Sequence, residues 1–488
     1  MTIILTADRT LMSNYRSNEF LGFGATAPPN VVPEWFFKLL FFPPIKTNKG
    51  IPVQAPYGLR KIEAQLGNAG FDVLTVDPDH FDRYLKNAKA LGIYVMDPFG
   101  WGPSSTTFAR ILGNRESYVA KYFRIMLENS EVSKAKKHGL KIIIGGPGTW
   151  QFRYRLEFLE EYGIDCVVDG EGEKVVCNLF EKALNNEQLP RFYVVNIKEV
   201  PSVQEIPEIK SPSINGLVEI GRGCCRSCQF CDVTLRPLRW YPYEKIKKEL
   251  TVNADAGIRW GILHAEDVLL YCSKNTVPDR DRVLKLHKIC KRYLSGVSWS
   301  HASIATIATD PKLVEEVAEI LIDEKQKWWG TEMGIETGSP NLIKKVMPLK
   351  AHPFNPEEWP EVVKTAAGIM TDNNLVPACT LIIGLPQETE DDITKTIELI
   401  DDLKDFKSLI VPLFFVPLGR LKERDWFTRE EMSNLHKELL IRCLKHDIYW
   451  TKVIKRQYFE TNWYNLFLSF LHKSFIWLVE RKARSIIS

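Results

Sequence analysis

The sequence predicts an α/β protein in three parts. These are a Rossmann-like N-terminal domain over residues 1–185, a partial (β/α)6 TIM-type barrel over 216–420 and a helical C-terminal region over 421–488. Three observations carry the prediction. Short apolar runs alternate with helical patterns across the first 185 residues, as a parallel α/β sheet requires. Six further strand–helix units can be placed between residues 216 and 420. Between the two blocks, residues 186–215 carry Pro190, Pro201, Pro207 and Pro212 without periodicity and read as a linker.

Composition sets the outer bounds. A chain of 488 residues, 45% hydrophobic and 26% charged, is an ordinary globular protein with room for two or three domains. A net charge of +3 lacks the basic excess of a dedicated nucleic-acid binder, so no nucleic-acid partner is expected. Met1-Thr-Ile-Ile-Leu reads as a strand rather than a basic, then apolar, leader, so a cytoplasmic location is expected. Of ten cysteines, Cys166, Cys177, Cys272, Cys290, Cys379 and Cys443 lie in apolar or helical runs and read as reduced core residues.

In the first block, strands are expected at residues 3–5, 71–76, 91–96, 141–144 and 166–168, with a helix over 57–67. Turn signals follow the strand ends at Asp97-Pro98, Gly145-Gly146-Pro147 and Asp169-Gly170-Glu171-Gly172-Glu173. Ligands of doubly wound sheets bind at such carboxyl ends, where glycine lets a backbone approach closely. The stretch 31–44 is aromatic-rich, bracketed by prolines and too short to span a membrane. It reads as a short helix packed over the sheet, or alternatively as a lid over an apolar substrate.

In the second block, strands are expected at 216–220, 260–264, 296–301, 328–334, 377–383 and 408–417. The second ends in Glu266 and Asp267, the third in Ser300 and His301, and the fourth runs into Ile335-Glu336-Thr-Gly-Ser-Pro340. In barrels of this kind chemistry sits at the carboxyl ends of the strands. The fifth leads to Gly384-Leu-Pro-Gln-Glu388-Thr389, where Thr389 with Asp391 and Asp392 reads as a helix start and Glu388 as structural.

The first barrel strand feeds Gly221-Arg-Gly-Cys-Cys-Arg-Ser-Cys-Gln-Phe-Cys, which places Cys224, Cys228 and Cys231 at CxxxCxxC spacing. Three thiolates on a tight loop can hold three irons of a 4Fe–4S cubane and leave the fourth open to chelation. A zinc site is the competing reading, but zinc usually takes four ligands and no second Cys or His pair lies nearby. Cys225 falls outside the spacing and reads as a small neutral residue.

This loop resembles the signature of radical S-adenosylmethionine (radical-SAM) enzymes. The resemblance, carried by the ordered motifs over residues 1–420, extends to the subclass with an N-terminal cobalamin-binding domain. It implies a 4Fe–4S cluster on the three cysteines, with Phe230 near the adenine of SAM. It further implies Glu266, Asp267, Ser300, His301 and Glu336 as SAM contacts. It implies cobalamin at Gly145, Gly146, Gly170 and Glu171. The family's Asp-x-His-x-x-Gly motif is absent; Pro78-Asp79-His80 does not match it, and His80 reads as a surface or capping residue. An electron donor such as ferredoxin or flavodoxin is implied as a partner.

The resemblance implies reductive cleavage of SAM and C–C bond formation at an unactivated carbon, by cobalamin-dependent methylation or by radical ring closure and coupling. It leaves the residues that act on the substrate undefined. The apolar stretches 35–42 and 463–479 tilt the expected substrate toward an isoprenoid membrane lipid, with possible peripheral membrane contact. A peptide or protein side-chain methylase is an alternative. A tRNA methylthiotransferase is another, although further upstream cluster cysteines and a basic RNA-binding tail are not seen. The 463–479 stretch reads first as a helix packed across the barrel mouth or the first domain and second as an interfacial amphipathic helix, and His472 and Lys473 interrupt it as a membrane span.

Overall fold

The computed structural model describes residues 2–458, except 18, 30–32, 112 and 114–115. The chain divides into two compact units: residues 1–218 with 244–260, and residues 219–243 with 261–488.

The first unit is built on a six-stranded sheet: β1 (Thr2–Ala7), β2 (Val73–Thr75), β3 (Ala88–Tyr94), β4 (Lys141–Gly145), β5 (Cys166–Asp169) and β6 (Phe192–Val194). The order is β2-β1-β3-β4-β5-β6, every pairing parallel. Both faces are covered. Ile4, Leu91, Ile93, Ile142, Ile144 and Val167 pack with Phe123, Phe152 and Phe158 on one side. Ile3, Leu5, Ala90, Ile143 and Val168 pack with Leu59, Leu179 and Phe180 on the other. Two buried faces explain why these strands read as continuous apolar runs. All five expected strands form. The sixth, β6, lies inside the stretch read as a linker: three residues flanked by prolines carry no period, but their backbone completes the sheet edge.

Two polar anchors fix this unit. In α2 (Tyr57–Asn68), the Lys61 ammonium pairs with Glu249 of the helix Tyr243–Asp255 and donates to the Pro207 carbonyl at 2.7 Å. After β1, Arg9 forks onto Asp77 at 2.9 and 2.8 Å and onto Asp79 at 2.8 Å. His80 beside them stands 3.4 Å from Asp77 and packs under Gly50, so it reads as a turn residue.

Asp8 next to Arg9 is 1% exposed, and its carboxyl accepts from the Thr10 amide and hydroxyl. Burial raises its pKa from 3.8 to about 6. An acid with a raised folded pKa stabilises the fold fully below its unfolded value and loses that contribution as pH rises through about 6. Asp8→Asn keeps an acceptor for Thr10 without the buried charge. It is therefore expected to stabilise the protein at pH 7.5 by roughly 1–3 kcal/mol and to flatten the stability profile between about pH 4 and 6. Urea denaturation at pH 4.5 and 7.5 checks this; an unchanged pH slope would refute it.

The aromatic stretch forms α1 (Glu34–Phe41). Phe37, Leu40 and Phe41 are buried, and Phe37 stacks on Tyr118 at 4.7 Å. Glu34 pairs with Lys121 at 2.6 Å and also accepts from Tyr122. The packed-helix reading accounts for these contacts, while Trp35 remains 69% exposed.

The barrel strands, which belong to the second unit except for Leu217, Val218 and Trp260, are β7 (Leu217–Glu219), β8 (Trp260–His264), β9 (Gly296–Trp299), β10 (Trp329–Glu336), β11 (Leu375–Ile383) and β12 (Leu409–Phe414). They form two three-stranded sheets, β9-β8-β7 and β10-β11-β12, joined where His301 bridges Glu332 in parallel. The result is six strands in chain order, as expected. Helices follow them, among them Arg280–Tyr293, Pro311–Leu321, Trp359–Asp372 and Glu390–Asp402. Alternation along the strands separates two faces. Leu263, Val297, Trp299, Trp329, Met333 and Cys379 are buried, whereas His264, Ser298, Glu332, Thr380, Val411 and Leu413 are half-buried on the opposite face.

The loop after β11 behaves as its sequence implied. Thr389 and Asp392 form a capping box, and Glu388 accepts from the Gly384 amide at 2.8 Å and pairs with His436 at 2.9 Å. His436 begins the long helix Asn434–Tyr458. The 463–479 stretch lies outside the described residues. Among the described residues, no helix is long and apolar enough to cross a membrane.

Candidate active site at the cysteine loop

The cysteine loop leaves the barrel just after β7 and is pinched at its base. Gly221 pairs with Trp240, and Arg222 with Arg239, antiparallel. A Cβ at Gly221 would stand 2.3 Å from the Trp240 ring. Gly223 has φ +86°, and a Cβ there would meet the Pro237 carbonyl at 2.6 Å. Glycine is thus required on both sides of Arg222, which explains the Gly-Arg-Gly that opens the motif. Within the loop, the Cys231 amide donates to the Cys228 carbonyl at 3.2 Å, and the Thr234 hydroxyl to the Cys231 carbonyl at 2.7 Å.

Arg226 is the internal strut. It is 4% exposed and donates to the carbonyls of Leu349, Lys350 and His352 at 2.9–3.1 Å and to the Thr306 hydroxyl at 2.6 Å. Thr306 in turn donates to Asp267 at 2.6 Å, and Arg226 stands 3.6 Å from Asp267. Asp267 is 4% exposed, and its second oxygen has no hydrogen-bond partner. Its observed contacts hold the cysteine loop.

The three thiols are shielded. Cys228 is 7% exposed; Cys224 and Cys231 are half-buried. Burial pushes the Cys224 thiol up to about 12 and that of Cys231 to about 11, and nearby Glu266 raises both further. Burial also raises Cys228, opposed by Lys350 and Arg226. These are thiols that lose their protons on metal binding rather than beforehand. Among the described residues, no three His, Cys, Asp or Glu side chains gather as around a single ion. A cubane takes one thiolate per iron, so it does not require that gathering.

Glu336 ends β10 with φ +64°. Its carboxylate pairs with Lys350 at 3.0 Å and accepts from the Thr380 hydroxyl at 3.1 Å. Both members of the pair are nearly buried, at 9% and 11% side-chain exposure. A Cβ at Gly334 would stand 1.8 Å from a Glu336 oxygen. The Gly334-Ile-Glu336 order is therefore a steric requirement: the carboxylate folds back over the glycine.

The sequence-predicted contacts separate. Glu266 lies beside Cys224 and Cys231 and has no hydrogen-bond or ion-pair partner among the described residues. Glu336 lies near Cys228. Ser300 is turned inward, its hydroxyl exchanging bonds with the Ala265 backbone at 3.1 and 3.3 Å. His301 approaches Glu332 at 3.3 Å, and its ring lies 6.0 Å from that of His264, whose imidazolium burial disfavours. Phe230 is half-buried on the loop. In the first unit, Gly145 ends β4 and Gly146 follows it, and Gly170 and Glu171 follow β5. A Cβ on Gly145 would enter open space, whereas one on Gly146 would strike the Val95 carbonyl at 2.4 Å.

Sequence reading missed Arg226, Lys350 and Thr306, and it named His301 without its neighbours His264 and Glu332. One signal was available: Glu332, Gly334 and Glu336 alternate along an apolar strand and mark its inner face.

Comparison with known proteins is consistent with this picture. Residues 218–400 match the radical SAM superfamily. The fold is similar to that of the radical S-adenosylmethionine methyltransferase TsrM from Kitasatospora setae, solved with cobalamin and a [4Fe-4S] cluster bound. The TM-score is 0.56 at 15% identity, covering 86% of this chain and 76% of that one. A second TsrM structure, with tryptophan substrate and the SAM analogue aza-SAM, matches at TM-score 0.56 and 14% identity, covering 84% and 72%. Among curated proteins, a tRNA-2-methylthio-N(6)-dimethylallyladenosine synthase of Thermodesulfovibrio yellowstonii is 26% identical over 274 residues, 56% of this chain and 58% of that protein. A putative methylthiotransferase of Methanocaldococcus jannaschii is 25% identical over 285 residues, 56% and 60%. The chain thus spans less than two thirds of these curated relatives.

Proposed function

We propose that this chain, which carries a radical SAM domain over residues 218–400, is a methyltransferase that cleaves SAM reductively and methylates a carbon of a polar, cation-bearing substrate such as a peptide side chain. The observation that carries the reading is the pinched loop with Cys224, Cys228 and Cys231 and unpartnered Glu266 beside two of them. Those three thiols would hold a 4Fe–4S cluster, which when bound supplies one electron to SAM. Glu266 suits the SAM amino group. Arg226, Asp267 and Thr306 hold the loop in place, and Glu336 with Lys350 supports it beneath Cys228.

The first unit suits cobalamin, which when bound supplies the methyl group. Strand order β2-β1-β3-β4-β5-β6 places a topological switch point between β1 and β3, where such sheets receive ligands. Gly145 leaves open space at the neighbouring strand end. His80 is engaged with Asp77 and is not expected to reach the cofactor.

The substrate class follows from charge. In the second unit, Arg222 pairs with Glu219, Lys350 with Glu336 and Arg226 with Asp267. Glu266 and Glu332 lack a Lys or Arg partner among the described residues, and Glu332 faces only His301. A half-buried carboxylate of this kind attracts a cation or an N–H donor. The wall continues through Thr380, Ile382, Val411 and Leu413, so an aliphatic portion can follow the polar head. Lipid ring closure or coupling is the second reading; exposed Trp35 favours it.

The test is anaerobic reconstitution with iron, sulfide, hydroxocobalamin, SAM and dithionite. About four irons per chain, retained corrinoid and 5′-deoxyadenosine are expected. His80→Ala should leave the corrinoid spectrum unchanged. A chain that retains iron and cleaves SAM but elutes without corrinoid would exclude methylation by this route.

A further inference from the structure

Three polar side chains meet on the inner face of the barrel: His264 at the end of β8, His301 just after β9 and Glu332 within β10. Backbone bonds fix the last two side by side. They form a parallel bridge; the Glu332 amide donates to the Ser300 carbonyl at 2.9 Å, and the Ala302 amide to the Glu332 carbonyl at 3.2 Å. Their side chains approach to 3.3 Å, His301 Nε2 against a Glu332 oxygen, at 37% and 33% exposure.

Hydrogen-bond roles count the protons here. Ser300 has one hydroxyl hydrogen, which it gives to the Ala265 carbonyl at 3.1 Å, while its oxygen accepts from the Ala265 amide at 3.3 Å. His301 Nδ1, 3.1 Å from the same oxygen, is therefore a donor. Nε2 faces a carboxylate, which has no hydrogen to offer. A neutral ring would turn its lone pair onto that charge, so the pair holds one extra proton between Nε2 and Glu332. No Lys or Arg among the described residues pairs with Glu332, which makes this proton its counter-charge. The His264 ring lies 6.0 Å from that of His301, and burial disfavours its charged form. It presents a neutral imidazole, with one nitrogen free to accept.

The remaining charges nearby are accounted for. Glu219, Glu266 and Arg222 stand beside His264, and Arg222 pairs with Glu219 at 2.7 Å. Glu336, the next carboxylate along β10, pairs with Lys350. Strands β11 and β12 contain no charged residue.

We propose that His264, His301 and Glu332 bind the substrate's cationic head, an ammonium or guanidinium, in exchange for the proton that His301 and Glu332 share. The inference rests on the cation-bearing substrate proposed above. One half-buried carboxylate compensates one positive charge, so the entering cation and the imidazolium compete for it. The proton leaves Nε2 for solvent as the cation enters, and the net charge of the pocket is unchanged. Nε2, the Glu332 oxygens and a His264 nitrogen then accept N–H bonds from the head. Affinity for the head therefore rises with pH, by at most about tenfold per unit for one proton, and levels off once the proton is gone.

The test is calorimetric titration of the reconstituted protein with n-pentylammonium and with n-pentylguanidinium, at about pH 5.5 and 8.5. Histidine titrates in that window and both probes stay charged. Neutral n-pentylurea is the control. At least one cation is expected to bind, at least fivefold more tightly at the higher pH, and to release protons at the lower pH. The two arms decide which head the subsite takes. His301→Gln keeps an acceptor but cannot titrate, so its affinity should be equal at both pH values. Glu332→Gln removes the charge, and binding should fall at least tenfold without proton release. The wild-type comparison needs no variant. Equal wild-type affinity at the two pH values overturns the inference but leaves a cation-bearing substrate standing. So does an unchanged pH profile in His301→Gln. Pentylurea binding as tightly as the cations, or no binding of either cation, overturns the inference and the cation-bearing substrate together. Iron content and SAM cleavage, measured first, report on the cluster separately.

Discussion

Replacing any one of Cys224, Cys228 or Cys231 with Ala is expected to abolish cluster absorbance in the visible and to bring dithionite-driven SAM cleavage to background. Each thiol serves one iron, so no neighbour can substitute without moving the loop. Movement is constrained: Arg226 ties the loop to three carbonyls, Gln229 ties it to Val346, and Gly221 and Gly223 allow no side chain at its base. Cys225→Ala should retain iron, because Cys225 lies outside the spacing and its Sγ approaches the Asn275 carbonyl at 3.9 Å. Iron and acid-labile sulfide assays with 5′-deoxyadenosine quantification check both. Persistent SAM cleavage in the triple Ala variant would defeat the assignment, and loss of iron in Cys225→Ala would extend the ligand set. Arg226→Lys provides a graded companion. Lysine cannot span three carbonyls and a hydroxyl at once, so iron affinity should fall roughly 10–100-fold, as for other supports of metal ligands.

The contrast between Cys231 and Arg226 shows what could be read from sequence. Cysteine spacing is local, and its chemistry is strict enough to be recognised in eleven residues. Arg226 sits in the same run, but its partners at 306 and 349–352 are more than 75 positions away, and nothing local announces them. Asp267 marks a different limit. Its place at a strand end is visible in sequence, but its engagement with Arg226 and Thr306 emerges only when the loops meet. The sheet of the first unit was legible because two buried faces impose long apolar runs. Strand β6 was not, because three residues between prolines cannot show a period. For α1, the apolar character was evident; Glu34 finding Lys121 and Tyr122 across the fold decides how it is held.

Gly334→Ala is expected to be among the most damaging single-methyl changes in the second unit. The added carbon would sit 1.8 Å from a Glu336 oxygen and 2.7 Å from the Lys350 ammonium. Neither group can retreat freely. Lys350 is fixed by its place against Cys228 and Glu336, and burial would disfavour its charge if Glu336 did not hold it. Glu336 has φ +64°, a conformation that costs a non-glycine residue roughly 1–3 kcal/mol and persists only when its surroundings enforce it. Separating the pair leaves both charges poorly compensated, a loss of about 3–5 kcal/mol for a buried ion pair. Glu336→Gln should cost less, since an amide oxygen can still accept from Lys350 or Thr380. Lys350→Met removes the cation but fills similar volume, and it should act mainly on iron retention through Cys228, whose thiol Lys350 favours in its charged form. Chemical denaturation of the three apo variants, with iron binding measured in parallel, separates these effects. If Gly334→Ala unfolds within about 1 kcal/mol of the parent, Glu336 has an alternative seat and the pair is not what fixes the end of β10. If Lys350→Met keeps full iron affinity, the Glu336–Lys350 pair supports the strand end alone and has no part in holding the cysteine loop.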